Sequence, residues 1–474
     1  MKRLIFLFTL IAIISTSCNK DVRLQDLATD SDAANVGKLA LTDKANPETT
    51  ETIIEADGTY TFLFTTTEAA QKNETLSLDR SGWDMLVGNY NSFMRTTEYQ
   101  VLPDANFEVN AVQFNQGSKS ADIDVRIRNL EDLDQGFYIL PLKYFYEGEA
   151  IVRMIRIVKD APYVALSAAN PKPMLPGTYN CPNRTEPMKM VAYVETNNWD
   201  IRNMGQFVLK NSRKPVFDYV VIFAANMNYD LAKKKRYLAF NDKLQPLVRD
   251  PKRFIQPLKD RGIKVIVDIL PNHQGVGFRN FQSYEDALDF TRELKEWADK
   301  LDIDGYDVDE EYANYSVRPE LPQRHPQSTL WFMRAAKEIM PDKLLTLYEY
   351  GHGLNANSTD EFGKRPIDYL DFSWSDYNVT GSSQVGMPSH RYGNRSLEAA
   401  RNAFFDNPTT TNLNTIRNAA QLNANACNAY HMIFNLKGGS IRNGAAAAGL
   451  SAMTQVFYGE DTEFVGNYYP GPND

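Results

Sequence analysis

The feature that most constrains this chain is a texture that begins near residue 190 and repeats to residue 434. Short runs rich in apolar, β-branched and aromatic residues alternate with longer stretches of helical spacing. The runs fall at 190–194, 219–223, 265–270, 303–309, 344–348, 369–374 and 430–434. Runs of this kind lack polar alternation, so both of their faces must be covered, which points to a parallel sheet flanked by helices. Seven strands are visible by pattern, and residues 382–387 supply an eighth with a weaker signal. Eight βα units in roughly 300 residues fit a closed (β/α)8 TIM barrel better than an open doubly wound sheet. The turn after the first strand, Glu195-Thr196-Asn197-Asn198-Trp199, has no glycine, which argues against a nucleotide-binding phosphate loop.

Ahead of the barrel the period changes. Between residues 51 and 163 apolar and polar residues alternate, as in Ala121-Asp122-Ile123-Asp124-Val125-Arg126-Ile127 and Met154-Ile155-Arg156-Ile157-Val158, with no long helical stretch. Period two over many short runs broken by Asn, Asp, Gly and Pro indicates an antiparallel β-sandwich. Three prolines and a glycine within residues 168–177 mark a boundary. The expected organisation is a sandwich at 45–167, a linker at 168–187 and the barrel at 188–474, a division that 474 residues readily accommodate.

The amino terminus carries an address rather than a fold. Met1-Lys2-Arg3, an apolar run over residues 4–14 and then Ser15-Thr16-Ser17-Cys18 make a secretory signal, with the run too short to span a membrane. Small residues followed by cysteine resemble a bacterial lipobox, which implies cleavage before Cys18, diacylation of its thiol and anchoring in the envelope, at the outer membrane or cell surface. Residues 1–18 are then signal and 19–44 a polar tether. Plain secretion with loss of Cys18 is the alternative. Cys181 and Cys427 remain, too far apart in sequence for spacing to decide whether they pair. The net charge of −9, with both signs interspersed, builds no positive stripe, so nucleic acid is not an expected partner. No cofactor is expected, and the expected state is a monomer.

Inside the fourth barrel run stands Asp304-Gly305-Tyr306-Asp307-Val308-Asp309-Glu310-Glu311-Tyr312. If the strand continues through it, Asp307, Asp309 and Glu311 share one face and Tyr306 and Val308 the other. The apolar pair must meet the helices. The three carboxyls are therefore expected to point into the barrel, with Glu311 nearest the C-terminal rim where barrel enzymes hold their sites. Alternate residues on a strand lie roughly 6.5–7 Å apart, near enough for carboxyls to shift one another's protonation. Three full charges there are costly, so at least one carboxyl is expected to stay protonated near neutral pH, as a general acid requires. The competing reading is a metal-binding or structural acid cluster. No histidine lies nearby in sequence to support a metal, and no other inward-facing acid cluster is evident.

The same run matches the D-G-x-D-x-D-x-E signature of glycoside hydrolase family 18 at Asp304, Gly305, Asp307, Asp309 and Glu311. Together with Val191-Ala192-Tyr193-Val194-Glu195, Val221-Ile222-Phe223-Ala224-Ala225-Asn226 and Asn272-His273-Gln274-Gly275, it makes residues 189–439 resemble the Endo H type of endo-β-N-acetylglucosaminidase. Asp268-Ile269-Leu270-Pro271-Asn272-His273 stands where chitinases carry S-x-G-G, which favours the core of glycoprotein N-glycans over chitin. Pro271 and Glu349 depart from the Endo H pattern, so subsite details do not carry over.

The resemblance implies substrate-assisted hydrolysis with retention, acting on high-mannose-type N-glycans. Glu311 is then the proton donor, Asp309 orients the substrate's acetamido group, Asp307 tunes Asp309 and Tyr377 reaches the acetamido group. Tyr193, Phe223, Asn226, Asn272, His273, Gln274, Trp374 and Asn435 are the substrate-binding set, and packing or turn roles compete for each. Trp199 and Trp374 either stack on sugars or belong to the core. The run from Asp134 to Phe145 resembles an immunoglobulin-like N-terminal domain of envelope glycosidases, read either as a spacer, the preferred reading, or as a glycan-binding support. Two other functions stay open: a chitinase acting on chito-oligosaccharides, and a catalytically silent glycan-binding barrel. Silent barrels of this kind usually lack the acid that Glu311 supplies here.

Overall fold

The computed structural model describes residues 23, 35–36, 38–47, 52–94, 96–134, 136–159, 172–173, 181, 186–315, 318–375, 381–395 and 403–473. Cys18, and with it the signal and lipobox, lies outside them, as does Tyr377.

Two sheets face each other in the N-terminal part. One has the strand order Asn35–Val36, Leu39–Asp43, Gly58–Thr66, Ser120–Ile127, Phe107–Val109, and the other Thr52–Ile54, Glu149–Lys159, Gly136–Tyr146, Tyr99–Val101. The period-two pattern works as expected, since Ile123, Val125 and Ile127 are buried while Asp122, Asp124 and Arg126 are exposed. Phe62, Phe64, Phe114, Leu140 and Ile155 meet between the sheets in one core.

Three details differ from the sequence reading. Leu39 and Leu41 alternate with polar residues and bury against this core, so the sheet takes up the last part of the stretch expected as tether. Trp83–Phe93 is an eleven-residue helix, because Trp83, Leu86, Val87 and Tyr90 recur at helical rather than strand spacing. The two short outer strands of the second sheet pair parallel to their neighbours, so the sandwich is mixed rather than wholly antiparallel.

The barrel strands are β1 (Lys189–Glu195), β2 (Tyr219–Asp230), β3 (Lys264–Pro271), β4 (Gly305–Val308), β5 (Leu344–Glu349), β6 (Phe372–Ser375), β7 (Tyr392–Arg395) and β8 (Tyr430–Phe434). Each pairs parallel with the next, and β8 closes on β1. The expected strand at 382–387 is loop. The missing strand is β7, whose Tyr392-Gly393-Asn394-Arg395 carries almost no apolar signal. A side chain at Gly393 would meet the Tyr430 carbonyl at 2.5 Å, so glycine permits the close β7–β8 approach.

The flanking helices include α1 (Tyr284–Leu301), α2 (Ser328–Ile339), α3 (Thr410–Asn425) and α4 (Ala445–Tyr458). Helix α1 starts where the Ser283 hydroxyl accepts from Asp286 N, with Glu285 and Asp286 in the favourable first turn. It buries Leu294, Trp297 and Leu301 in the layer that also takes Tyr306 and Val308. The apolar pair of the acidic run therefore faces the helices as expected.

The inside of the barrel is filled by rings. Phe372 and Tyr430 stack with centroids 4.2 Å apart, Tyr219 lies 5.0 Å from Phe372, and Tyr193 meets Trp374 edge-on at 5.6 Å.

Buried charges fix the sandwich to the barrel. Asp250 takes the Tyr99 hydroxyl and the Arg156 guanidinium, and Glu98 pairs with Arg202 at 3.1 Å and Arg253 at 2.6 Å. Tyr469, near the C-terminus, packs with Val87, Tyr99, Phe137 and Ile139 of the sandwich, while its backbone bonds Asn203 of the barrel. Cys181 and Cys427 form a disulfide, which sequence spacing left undecided.

Candidate active site

The acidic run divides into structural and chemical halves. Asp304 Oδ2 accepts from Val265 N at 2.8 Å, which ties the start of β4 to β3. A side chain at Gly305 would meet the Leu344 carbonyl at 2.2 Å, so only glycine lets β4 lie against β5. The strand then ends at Val308. Asp309 and Glu310 follow it, and Glu311 and Tyr312 form a turn in which Tyr312 has φ 61°. Glu311 is thus not a third residue of the strand face, as the alternation predicted. Its backbone N–H instead donates to Asp309 Oδ1 at 2.9 Å, so the turn seats the rim acid on the acid below it. Beyond the strand, positive φ at Tyr312 and Asn314 turns the chain.

Asp307 is fully buried. Its two oxygens accept from the Tyr193 and Thr346 hydroxyls, so the interior rings are wired directly to the acids. Beside it stands an acid that sequence reasoning missed. Asp268, in register with Asp307 on β3, is also fully buried. No N–H or hydroxyl donor reaches either Asp268 oxygen among the described residues. Burial first, then the charges of Asp309, Asp307 and Glu311, hold Asp268 well above the ordinary carboxyl range. Burial pushes Asp307 up to about 6, against the opposing pull of the Thr346, Tyr193 and Asp268 contacts. One proton shared between Asp268 and Asp307 leaves the least charge in this pocket. The signal for Asp268 was present in the sequence: a single acid at an inward position of the apolar run Val265-Ile266-Val267-Asp268-Ile269-Leu270.

Glu310 turns the other way. It accepts from the Tyr315 hydroxyl and, at 2.8 Å, from Phe278 N, and burial pushes it up to about 7. It braces the turn that carries Glu311. Glu349, the departure noted at the end of β5, accepts from Ser373 and Ser383 hydroxyls at 2.6 Å each and so holds the loop before β7.

The expected binding residues separate into distinct groups. Tyr193 bonds Asp307, and Phe223 packs edge-on to Phe434 at 5.2 Å. Trp374 is fully buried among the interior rings, which is the core reading of that residue. Trp199 does not stand free as a stacking plate, because its Nε1 donates to Asn435 Oδ1 at 2.7 Å and links the loops after β1 and β8. Asn226 donates to the Leu270 carbonyl at 3.4 Å, and Asn272 to Asn228 Oδ1 at 2.9 Å. Exposed His273, at φ 55°, meets Asn314 through Nδ1 at 3.2 Å and lies 4.9 Å from the Tyr312 ring. Gln274 is half-buried in the same loop, which backbone bonds from His273 to Tyr312 and from Gly275 to Ala313 join to the Glu311 turn. Tyr312 and Tyr350, 53% and 44% exposed, add two rings that the sequence did not single out.

An endo-beta-N-acetylglucosaminidase of Flavobacterium sp. (strain SK1022) is 33% identical over 274 residues, spanning 57% of this chain and 80% of that protein. The chain belongs to the endo-β-N-acetylglucosaminidase family. This glycoside hydrolase family also includes the endo-beta-N-acetylglucosaminidase F1 of Elizabethkingia meningoseptica, 35% identical over 212 residues, or 42% of this chain and 61% of that one. A family model described as an N-terminal domain matches residues 33–144. Among solved structures, Bacteroides thetaiotamicron EndoBT-3987 with Man5GlcNAc product superposes over 91% of this chain and 98% of its own, with 21% identity and a TM-score of 0.49.

Proposed function

We propose that this endo-β-N-acetylglucosaminidase hydrolyses the β1,4 bond between the two N-acetylglucosamines of the N-glycan core, on high-mannose-type glycans, with retention and by substrate assistance. The observation that carries the reading is the group of acids on β3, on β4 and in the turn that follows β4. Asp268 and Asp307 lie side by side in the buried layer, where burial raises both, Asp309 follows on the chain, and the partly exposed Glu311 bonds Asp309 through its backbone N–H. The name carried by both relatives supports the bond chosen.

In this mechanism Glu311 gives its proton to the glycosidic oxygen as the bond to the anomeric carbon breaks, and the acetamido oxygen of the same sugar closes on that carbon as an oxazolinium. Asp309 accepts a hydrogen bond from the acetamido N–H and balances the positive charge that develops there. Neutralising Asp268 with the shared proton leaves Asp309 as the negative group facing that charge. Glu311 then takes a proton from the water that opens the ring, and two inversions give net retention. Tyr193 and Thr346 hold Asp307 in place beneath.

Intact-mass analysis of a high-mannose glycoprotein before and after incubation tests the reading. The expected product keeps one N-acetylglucosamine at each glycosylated asparagine. An unchanged glycoprotein alongside cleaved chito-oligosaccharide refutes it in favour of a chitinase. The same proposal places the enzyme in the cell envelope, anchored through lipidated Cys18 and acting as a monomer. The apolar segment followed by Ser15-Thr16-Ser17-Cys18 supports export, and the Cys181–Cys427 disulfide suits an oxidising compartment.

A further inference from the structure

Outside the acid row, on the far side of Glu310, a second cavity of about 540 Å³ opens between the loops that follow β3, β4 and β5. It is lined by Arg279, Arg324, His325, Gln327 and His352, and by the first turn of α2, with no acid in its wall among the described residues. That is unusual in a chain of net charge −9. Among the described residues neither arginine has a carboxylate within 4 Å, and the buried Glu310 is an acid whose charge both feel. Arg279 donates to the Gly351 carbonyl at 3.1 Å, and Arg324 lies over the Tyr315 ring at 4.8 Å. The acids that follow Thr359 are already engaged, Asp360 by Tyr369 and by backbone N–H groups, and Glu361 by Arg334 at 2.7 Å.

Among the described residues, two buried polar atoms at this cavity have no hydrogen-bond partner. His352 is 1% exposed, and its Nδ1 accepts from Leu354 N at 3.0 Å, which leaves the ring proton on Nε2. No acceptor reaches that Nε2 among the described residues, and Gln327 Oε1 is likewise unpaired. Buried polar groups are rarely left unmatched, and a donor–acceptor pair of this kind is what a bound oxyanion with a neighbouring hydroxyl would satisfy. Gly353 keeps the backbone clear for Arg279, since a side chain there would come within 2.7 Å of its Nε. The N-terminal end of α2 adds a favourable field for negative charge.

We propose that Arg279, Arg324 and the Nε2–H of His352 form an oxyanion-binding pocket on the barrel rim, with Gln327 receiving a hydroxyl of the same ligand. The chemistry fits a phosphate, either as the free ion or as a phosphomonoester on a sugar. Burial and the neighbouring Arg279 hold His352 down to about 4, so it acts as a neutral donor and the two arginines supply the charge.

The site is tested without reference to glycosidase turnover, so its failure and that of the proposed activity are separable. Calorimetric titration of the full chain compares inorganic phosphate, mannose 6-phosphate and mannose. Both anions are expected to bind and mannose is not. Tighter binding of the sugar phosphate assigns the pocket to a substituted sugar, whereas equal affinities assign it to the free ion. Arg324→Met, at an exposed position, should weaken both anions by about tenfold or more, as loss of a charge-assisted contact predicts. His352→Phe should do the same. Absence of saturable anion binding, or affinities unchanged in both variants, overturns the proposal.

Discussion

Asp307 offers the sharpest test of the electrostatics, because its cost to the fold can be separated from its hydrogen bonds. Burial raises its pKa from 3.8 to about 6. A carboxyl raised in this way binds its proton more tightly in the folded chain than in the unfolded one, so it draws stability away as pH climbs from 3.8 to 6. Two pKa units at 1.36 kcal/mol each give about 3 kcal/mol, fully lost by pH 7. Asp307→Asn removes the titration while leaving an amide for Tyr193 and Thr346 to contact. The variant's absolute stability will carry an offset from rearranged hydrogen bonds, and Asp268, no longer facing the Asp307 charge, is raised less, which moves the pH-dependent difference in the same direction. Urea unfolding at pH 4, 5, 6 and 7 should therefore show the difference, variant minus native, moving by about 2 kcal/mol or more in the variant's favour across the series, the rest of the loss falling below pH 4. Tryptophan emission is a suitable probe, since Trp199, Trp297, Trp331 and Trp374 all lie in the barrel sequence. Stability curves that run parallel through this range would refute the claim that a buried carboxyl is held there against its ordinary titration.

Two further outcomes follow from particular contacts. Asp250→Asn strips the buried partner from Arg156, and stability should fall by about 3 kcal/mol or more, with the sandwich unfolding apart from the barrel in a calorimetric scan; a loss under about 1 kcal/mol would mean the interface rests on packing alone. Cys18→Ser should release the enzyme from the membrane fraction into the soluble one, and a variant that still sediments with membranes would rule out the lipid anchor.

Much of the architecture was legible because two periods, two and mixed βα, occupy separate stretches of one chain. The strands read correctly were those with continuous apolar runs. β7 escaped because Gly393 serves backbone approach rather than burial and leaves no apolar trace. Helix Trp83–Phe93 escaped because a single helix sits among strands whose alternation dominates the surrounding sequence.

The acids show the same limit at finer scale. Strand alternation placed Asp307 and the outward Tyr306 and Val308, but it carried the strand past Val308, where positive φ at Tyr312 turns the chain. The run at 265–270 marks Asp268 as an inward acid, but its place beside Asp307 comes from the register between two strands, which the run alone does not give. The same is true of the Cys181–Cys427 disulfide and of the bond from Trp199 to Asn435.

The central claim is that Glu311 supplies the proton on which cleavage depends, with Asp309 aligned by the turn that carries it. Replacing Glu311 with Gln changes little in shape and removes only the transferable proton. Measured on a high-mannose glycoprotein by intact mass, and on the isolated glycan by calorimetry, Glu311→Gln should lose turnover by several orders of magnitude while binding glycan about as well as the native enzyme. A near-native rate of deglycosylation in this variant would contradict the account.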